Sequence, residues 1–388
     1  MYCTKKITED LTWVGGNDRR LAMFEGVYSV PYGVSYNSYL LNDEKTVLFD
    51  TVDRAVADVF FENIEKTLNG RELDYLVVHH MEPDHSAGVK AFAEKYPDAK
   101  IVGNTKTFVM LAQYFEDLDL ETRKIVVADG GTLDLGNRTL TFVFTPMVHW
   151  PEVMMTYDAA TGTFFSADAF GKFGASDADE YWTDEARRYY IGIVGKYGVQ
   201  VQSALAKAAK LDIARICPLH GPVLTSDLGS YIGMYDTWSK YEPEDKGVTV
   251  AYTSVYGHTE EAAKLLAGEL TARGVKTEVF DLARCDISAA VASAFRYDRL
   301  ALATTTYNGD IFPYMRTFID HLTERNFRGR TVAMIENGTW APMAAKVMKG
   351  MLEGSKDITY ASVVTLRSAV GAAGKAAIAA LADELAKA

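Results

Sequence analysis

The sequence predicts a two-domain chain: a mixed α+β first part, and an α/β second part built as a doubly wound parallel sheet. Three observations predict it. At 388 residues the chain is too long for one ordinary hydrophobic core. The polar stretch 239–247 contains a Pro and a Gly, shows no periodicity, and separates two segments of different pattern. Beyond it, five apolar strand-type runs alternate with helix-type runs within ~140 residues, the pattern of a parallel sheet covered by helices on both faces. Domains are therefore expected at 1–246 and 247–388.

In the first part, 11–14, 26–30, 38–41 and 46–49 are short strand candidates separated by Gly, Asn and Asp signals. Helical spacing over 55–68 stops at Asn69-Gly70, an end signal. The apolar run 75–78 is a strand, and after Gly88 the spacing of Val89, Phe92, Ala93 and Tyr96 is helical. Further strands are expected at 100–102, 122–127, 139–145, 162–166 and 213–217. Helices are expected at 105–115 and 184–211, the second carrying Tyr189, Tyr190 and Tyr197. In the second part, strands at 248–252, 276–280, 299–304, 331–336 and 359–365 alternate with helices at 260–273, 287–294, 314–322, 344–352 and 374–387.

Potential metal ligands stand where strands end. His80, Glu82, Asp84 and His85 follow the run 75–78. Pro83 disfavours helical geometry at Glu82, so the chain is expected to stay extended, with His80, Glu82 and Asp84 on one face. His149 follows the strand 139–145, Asp168 follows 162–166, and His220 follows 213–217. Any one alone is more readily a capping or hydrogen-bonding side chain, and Asp84 suits the cap of the helix after it. Seven such residues in one positional context point to metal. Histidine with several carboxylates and no thiolate suits a dinuclear site bridged by Asp168, and favours iron or manganese over a structural zinc. The residue types alone leave zinc hydrolysis open.

The pattern H-x-E-x-D-H at 80–85, followed by His149, Asp168 and His220, resembles that of flavodiiron proteins. In that family a metallo-β-lactamase-like αββα sandwich is fused to a flavodoxin-like domain. Zinc hydrolases of the same fold carry a second histidine where this chain has Glu82. Gly33-Val34-Ser35-Tyr36-Asn37-Ser38-Tyr39 belongs to the same resemblance, which covers nearly the whole chain. The resemblance implies that His80, Glu82 and His149 bind one iron, that Asp84 and His220 bind the other, and that Asp168 bridges them. The histidine matching His85 is in this family sometimes a ligand and sometimes displaced by solvent. Reductive chemistry on O2 or NO is implied with the metals. Some members carry a histidine near the metals where this chain has Glu25, so any role of that histidine lapses here. Tyr197 matches a tyrosine standing behind the ligands, with ordinary helix packing as its other reading.

In the second part, Thr253-Ser254-Val255-Tyr256-Gly257-His258-Thr259 follows the first strand and opens the first helix. Hydroxyls and a Gly at a helix N-terminus present N–H groups and a favourable dipole to a phosphate. The stretch is not G-x-G-x-x-G, which disfavours a dinucleotide. It resembles the flavodoxin phosphate loop at Ser254, Gly257, His258 and Thr259, while Val255 and Tyr256 replace hydroxyl residues. The third strand ends in Thr306, Tyr307, Asn308 and Gly309, and the fourth in Asn337, Gly338, Thr339 and Trp340. Ligands of such sheets lie beyond the carboxyl ends of the strands. Tyr307 and Trp340 offer flat faces to a flavin ring, and FMN is the expected cofactor beside two non-haem iron ions.

A net charge of −12, without a Lys/Arg run, argues against nucleic acid as a partner. No run approaches the ~18 apolar residues of a spanning helix, so no membrane partner is expected. The polar start of the sequence and three scattered cysteines suit a cytoplasmic, reducing setting. By resemblance, a separate rubredoxin or flavin reductase supplies electrons, and a head-to-tail homodimer or dimer of dimers faces each flavin to its partner's irons. Two other readings are a zinc metallo-hydrolase fused to a flavodoxin-like domain, and a redox shuttle with a vestigial metal site.

Overall fold

The computed structural model describes residues 3–178 and 181–388. The chain divides into two compact units, Met1–Tyr190 with Val199–Asp236, and Ile191–Gly198 with Thr237–Ala388.

The first unit is built on two facing sheets. One has seven strands in the order Lys5–Lys6, Leu11–Trp13, Tyr39–Asn42, Thr46–Phe49, Tyr75–Val77, Lys100–Gly103, Lys124–Val126. Its first four strands pair antiparallel and the rest are parallel. The other has five: Thr132–Asp134, Thr139–Phe144, Met154–Asp158, Thr163–Phe165 and Arg215–Cys217, parallel only in the last pairing. Leu41, Val47, Phe49, Val77 and Val102 of the first sheet share one core with Leu140, Phe142, Met154, Phe165 and Cys217 of the second. Each such apolar side chain, taken fully out of water, stabilises by about 1.5–3 kcal/mol. The helix Ala57–Leu68 buries Phe60, Ile64 and Leu68, one face at four-residue spacing, and ends at Asn69 with φ 48° before Gly70.

The helix expected over 184–211 is not continuous. It runs as Trp182–Tyr189, a wide turn at Tyr190–Val194, a tight turn at Gly195–Tyr197 and a second helix at Gly198–Ala208. Gly192, Gly195 and Gly198 interrupt the run, and each costs helical propensity that the side-chain spacing alone does not register. The strand Met154–Asp158 and the helix Leu228–Ser239 were not anticipated. Both are apolar or aromatic on more than one face, which blurs the period.

The second unit is a parallel sheet in the order Thr277–Asp281, Asp245–Tyr252, Tyr297–Tyr307, Thr331–Asn337, Thr359–Leu366. In chain order that is 2-1-3-4-5, the flavodoxin-like arrangement. Ala301, Ala303 and Ala333 line the middle strands beside Ala262, Ala263, Leu266 and Leu270 of the helix His258–Ala272. Small residues there bring helix and sheet close. Part of the polar stretch 239–247 belongs to this sheet, because the first strand starts at Asp245. Asp245 pairs with Lys276 and Arg296, and a side chain at Gly247 would meet the Tyr297 ring at 2.4 Å.

Candidate metal centre and flavin site

The seven expected ligands fall into two groups of convergent donor atoms: His80, Glu82, His149 and Asp168; and Asp84, His85 and His220. In the first, the His149 Nε2 lies 3.0 Å from Glu82 Oε2 and 3.1 Å from Asp168 Oδ2. His80 Nε2 lies 3.2 Å from Glu82 Oε2 and 3.5 Å from Asp168 Oδ2. In the second, His85 Nε2 and His220 Nε2 are each 3.2 Å from Asp84 Oδ2 and 3.0 Å from one another. Asp168 joins the groups, with Oδ2 turned to the first and Oδ1 3.3 Å from His85 Nε2.

The spacing reading expected His80, Glu82 and Asp84 on one spot, and the structure corrects it. Glu82 is extended, with ψ 139°, but Pro83 opens the short helix Pro83–Ser86. Proline's fixed φ and missing N–H suit the first helical position. The helix therefore turns Asp84 and His85 away from His80 and Glu82 and towards His220.

The donor set fits metal ions on two observations. Donors about 2.0–2.2 Å from a common ion stand roughly 3 Å apart, the separation seen here. Both oxygens of Asp84 and Oδ1 of Asp168 are buried without a hydrogen-bond partner, although imidazole nitrogens lie 3.2–3.3 Å away. An unsatisfied buried acceptor costs about 1–3 kcal/mol, so lone pairs aimed at a shared point call for a cation. The electrostatics agree. Burial pushes the Asp168 carboxyl up, but His80, His149 and His85 outweigh it and hold it well below the usual range. Burial lowers His149, and Asp168 and Glu82 reverse this and raise it to about 9. His80 and His85 are raised in the same way, against burial, by Asp168, Glu152, Glu82 and Asp84.

The scaffold around the donors is cross-braced. Asp50, at φ 54°, accepts N–H bonds from His79 at 2.7 Å and His80 at 3.3 Å. Its other oxygen lies 2.5 Å from His79 Nδ1, while His79 Nε2 meets Thr156 at 2.7 Å, so His79 is a buried clasp. His220 donates Nδ1–H to the Ser35 carbonyl at 2.7 Å. The Asn37 amide donates to the carbonyls of Pro218 and Gly221, both at 2.8 Å, and Tyr39 donates to Pro218 at 2.7 Å. The segment 33–39 thus holds the loop that carries His220.

Several residues at the site were missed by sequence reasoning. Glu152, fully buried, accepts from His80 Nδ1 and from the Met81 N–H, both at 2.8 Å. Its only sequence signal is a carboxylate in the same loop as His149. Glu25, on the exposed turn of the hairpin Met23–Phe24, Tyr28–Ser29, faces Glu82 with its carboxyl; desolvation of that carboxyl against the cluster and the Glu82 charge push it up to about 8. Phe24 in that hairpin sets its ring 5.5 Å from His220, edge-on. The tyrosine brought to the donors is Tyr189, buried, with its ring 5.5 Å from His220. Burial first, then the charges of Asp168, Asp84 and Glu82, raise its hydroxyl well above the ordinary value. Tyr197, expected in that place, is instead half-buried in the turn Gly195–Tyr197. The broken helix accounts for the substitution, since an unbroken one would have given the two tyrosines related faces.

In the second unit, a cleft of about 750 Å³ opens at the carboxyl ends of the strands. Ser254, Val255, Tyr256, His258 and Thr259 line it from one loop, with Thr306, Tyr307, Asn308 and Gly309 from the next. Asn337, Gly338, Thr339 and Trp340 come from a third. Gly257 caps the helix His258–Ala272 at φ 93° and donates its N–H to Ser254 Oγ at 3.0 Å. Thr305, Met343 and Ser368 line the cleft as well. Ser368 and Asn337 bond reciprocally at 2.8 and 2.9 Å, which ties the third loop to the end of the last strand. Trp340 is 86% and Tyr256 90% exposed, so both rings are available to a ligand face.

A family model described as ODP family beta lactamase matches residues 34–221, and the flavodoxin model matches residues 250–364. An uncharacterized protein of Methanocaldococcus jannaschii is 31% identical over 82% of this chain and 81% of its own length. A nitric oxide reductase of Moorella thermoacetica is 29% identical over 90% of each chain. Among solved structures, the flavodiiron protein from Giardia intestinalis superposes with a TM-score of 0.93 at 26% identity, covering 100% of this chain and 97% of that one. This chain belongs to the flavodiiron family. The rubredoxin oxygen:oxidoreductase of Desulfovibrio gigas gives 0.91 at 26% identity, over 99% and 98% of the two chains. The flavodiiron fold thus joins an αββα metallo-β-lactamase-like domain to a flavodoxin-like one, as the resemblance implied. Among the described residues, no helix is long and apolar enough to cross a membrane.

Proposed function

We propose that this flavodiiron protein is an oxidoreductase that passes electrons from a donor protein through FMN to two non-haem irons, reducing O2 to water, NO to N2O, or both. The observation that carries it is the donor set itself. Glu82 occupies the first group, in place of the hydrolase imidazole, in a chain that also holds a phosphate loop and a flavin-sized cleft. Hard anionic oxygens favour iron over zinc. A hydrolase would have no use for the second domain, and two relatives are named as reductases of nitric oxide and of oxygen.

In this reading the metal domain is 1–246 and the FMN-binding domain 247–388. His80, Glu82 and His149 would hold one iron and Asp84, His85 and His220 the other, with Asp168 shared between the two groups. Bound iron and FMN supply single-electron transfer and reduction of the diatomic. The chain's own residues position and exclude. Phe24 and Tyr36 wall the His220 side with apolar rings, and the loop 218–221 is fixed by Ser35, Asn37 and Tyr39. The Tyr189 hydroxyl keeps its proton at neutral pH and is a candidate donor to bound substrate. In the other unit, the N–H groups at 257–259 would hold the FMN phosphate, and Tyr307 and Trp340 would offer their faces to the ring.

The same reading includes a cytoplasmic setting, a separate donor such as a rubredoxin or a flavin reductase, and a head-to-tail homodimer, alone or paired. Subunit exchange tests it. At FMN concentrations below the weakened affinity of Gly257→Val, Asp168→Ala and Gly257→Val homodimers should each consume little or no O2 or NO, and mixing them should restore turnover in the mixed dimer. Confirmed mixed dimers without turnover would overturn the head-to-tail arrangement, and turnover in the Asp168→Ala homodimer would overturn the metal assignment.

A further inference from the structure

The histidines of the two groups are not backed alike. Glu152 Oε1 accepts the Met81 N–H at 2.8 Å, so it is an acceptor, and His80 Nδ1, also 2.8 Å away, must carry its hydrogen towards it. That fixes the tautomer of His80 and leaves the Nε2 lone pair for the donor cluster. The Glu152 side chain is fully buried, and its second oxygen has no hydrogen-bond partner. Its backbone is held separately, by the Asn104 amide at the Glu152 carbonyl, from the N-cap of the helix Thr105–Tyr114. In the other group, His220 is backed by a neutral carbonyl, that of Ser35. His85 Nδ1 is buried and has no hydrogen-bond partner at all.

We propose that Glu152 is a positioning residue that makes the two metal positions unequal, by giving His80 a carboxylate behind it while the opposite histidines have a carbonyl or nothing. The proposal rests on the reading that the cluster binds two metals. An imidazole whose remote N–H bonds a carboxylate is oriented and is a stronger donor, and loss of such a partner typically lowers metal affinity by about 10–100-fold. At buried side chains such as His80 and Glu152 the effect is larger than at a surface. An ion held by His80, Glu82 and His149 would therefore be bound more tightly, with a lower potential than one held by Asp84, His85 and His220.

The test uses the full-length protein, stripped with a chelator and titrated with cobalt(II), alongside iron-loaded protein titrated with reductant under spectroscopic monitoring. Wild type should bind two ions in unequal steps. Glu152→Gln keeps an acceptor for both N–H groups but removes the charge. It should weaken the tighter step by about 10–100-fold, leave the other unchanged, and raise the potential of one iron only. Asn104→Ala removes the backbone anchor and the helix cap without touching that charge. It should lower thermal stability and leave both potentials in place. The inference is overturned if Glu152→Gln changes neither step, weakens both equally, or is matched in potential by Asn104→Ala. A wild type that binds no pair of ions would bring down the proposed function and this inference together.

Discussion

The metal cluster and the flavin cleft are built on opposite principles. Six of the seven clustered donors are buried; Glu152 and the Ser35 carbonyl hold the His80 and His220 side chains, and Asp50 and Thr51 hold the backbone at His80 and His85. The cleft is lined by loops, its largest aromatics stand in solvent, and its key positions are defined by backbone conformation. A metal needs charged lone pairs fixed within tenths of an ångström, which only a packed core delivers. A phosphate and a flat ring need N–H groups at a helix end and a surface to stack on, which loops on a rigid sheet supply. The difference teaches that damage should behave differently in the two places, all-or-none in the cluster and graded in the cleft.

The sharpest way to break that contrast is Asp168→Ala. Asp168 serves both groups, so its loss should remove metal from both and lower turnover by at least about a thousandfold, with FMN content unchanged. Metal analysis beside flavin absorbance reads both halves, and retention of either ion at full occupancy would show that Asp168 does not join the groups.

Next in size is Gly257→Val. A Cβ at Gly257 meets nothing within 4 Å, so the cost comes from φ 93° and not from a clash. A β-branched residue there is strained by about 1–3 kcal/mol, so FMN affinity should fall by roughly ten- to a hundredfold while metals stay. Flavin titration of the apoprotein measures it; unchanged affinity would remove this loop from the site.

A smaller effect separates the regions by pH. His149 is raised to about 9 in the metal-free cluster, from an ordinary 6.5. A raised imidazole contributes stability that is fully present below 6.5 and is lost as pH rises through about 9. Metal must displace that proton, so metal affinity should rise over the same window. Thermal melts of the apoprotein at pH 6.5 and 9, with cobalt(II) titrations at both, test it. Affinity that is flat across the window would contradict the charge balance described for the cluster.

Trp340→Ala should do least. An exposed ring stacked on a ligand is worth about 0.5–1.5 kcal/mol beyond its area, so FMN should bind severalfold more weakly with a shifted spectrum. A loss as large as that in Gly257→Val would mean that the cleft closes on the ring and is not open as described.

The same contrast explains what the sequence let one read. The seven clustered side chains were legible as a group because metal chemistry restricts residue types, and because strand ends are visible as apolar runs followed by His or Asp. The cleft-lining loop 254–259 was legible for a similar reason, a hydroxyl-rich turn opening a helix. What stayed hidden depends on contacts between distant segments. Glu152 is an unremarked acid until the fold sets it against His80, 72 residues away. Glu25 was read only as a missing histidine, although its carboxyl faces Glu82. Tyr189 and Tyr197 exchanged places because three glycines break a helix whose side-chain spacing looked continuous. Asp84 falls away from His80 because Pro83, which keeps Glu82 extended as expected, also starts a helix.

What the purified chain carries is measured by elemental analysis combined with flavin release. The two donor groups and the cleft predict about two irons and one FMN per chain, with little zinc. Two zincs without FMN would contradict the central claim, because Glu82 would then not select iron and the cleft would not be a flavin site.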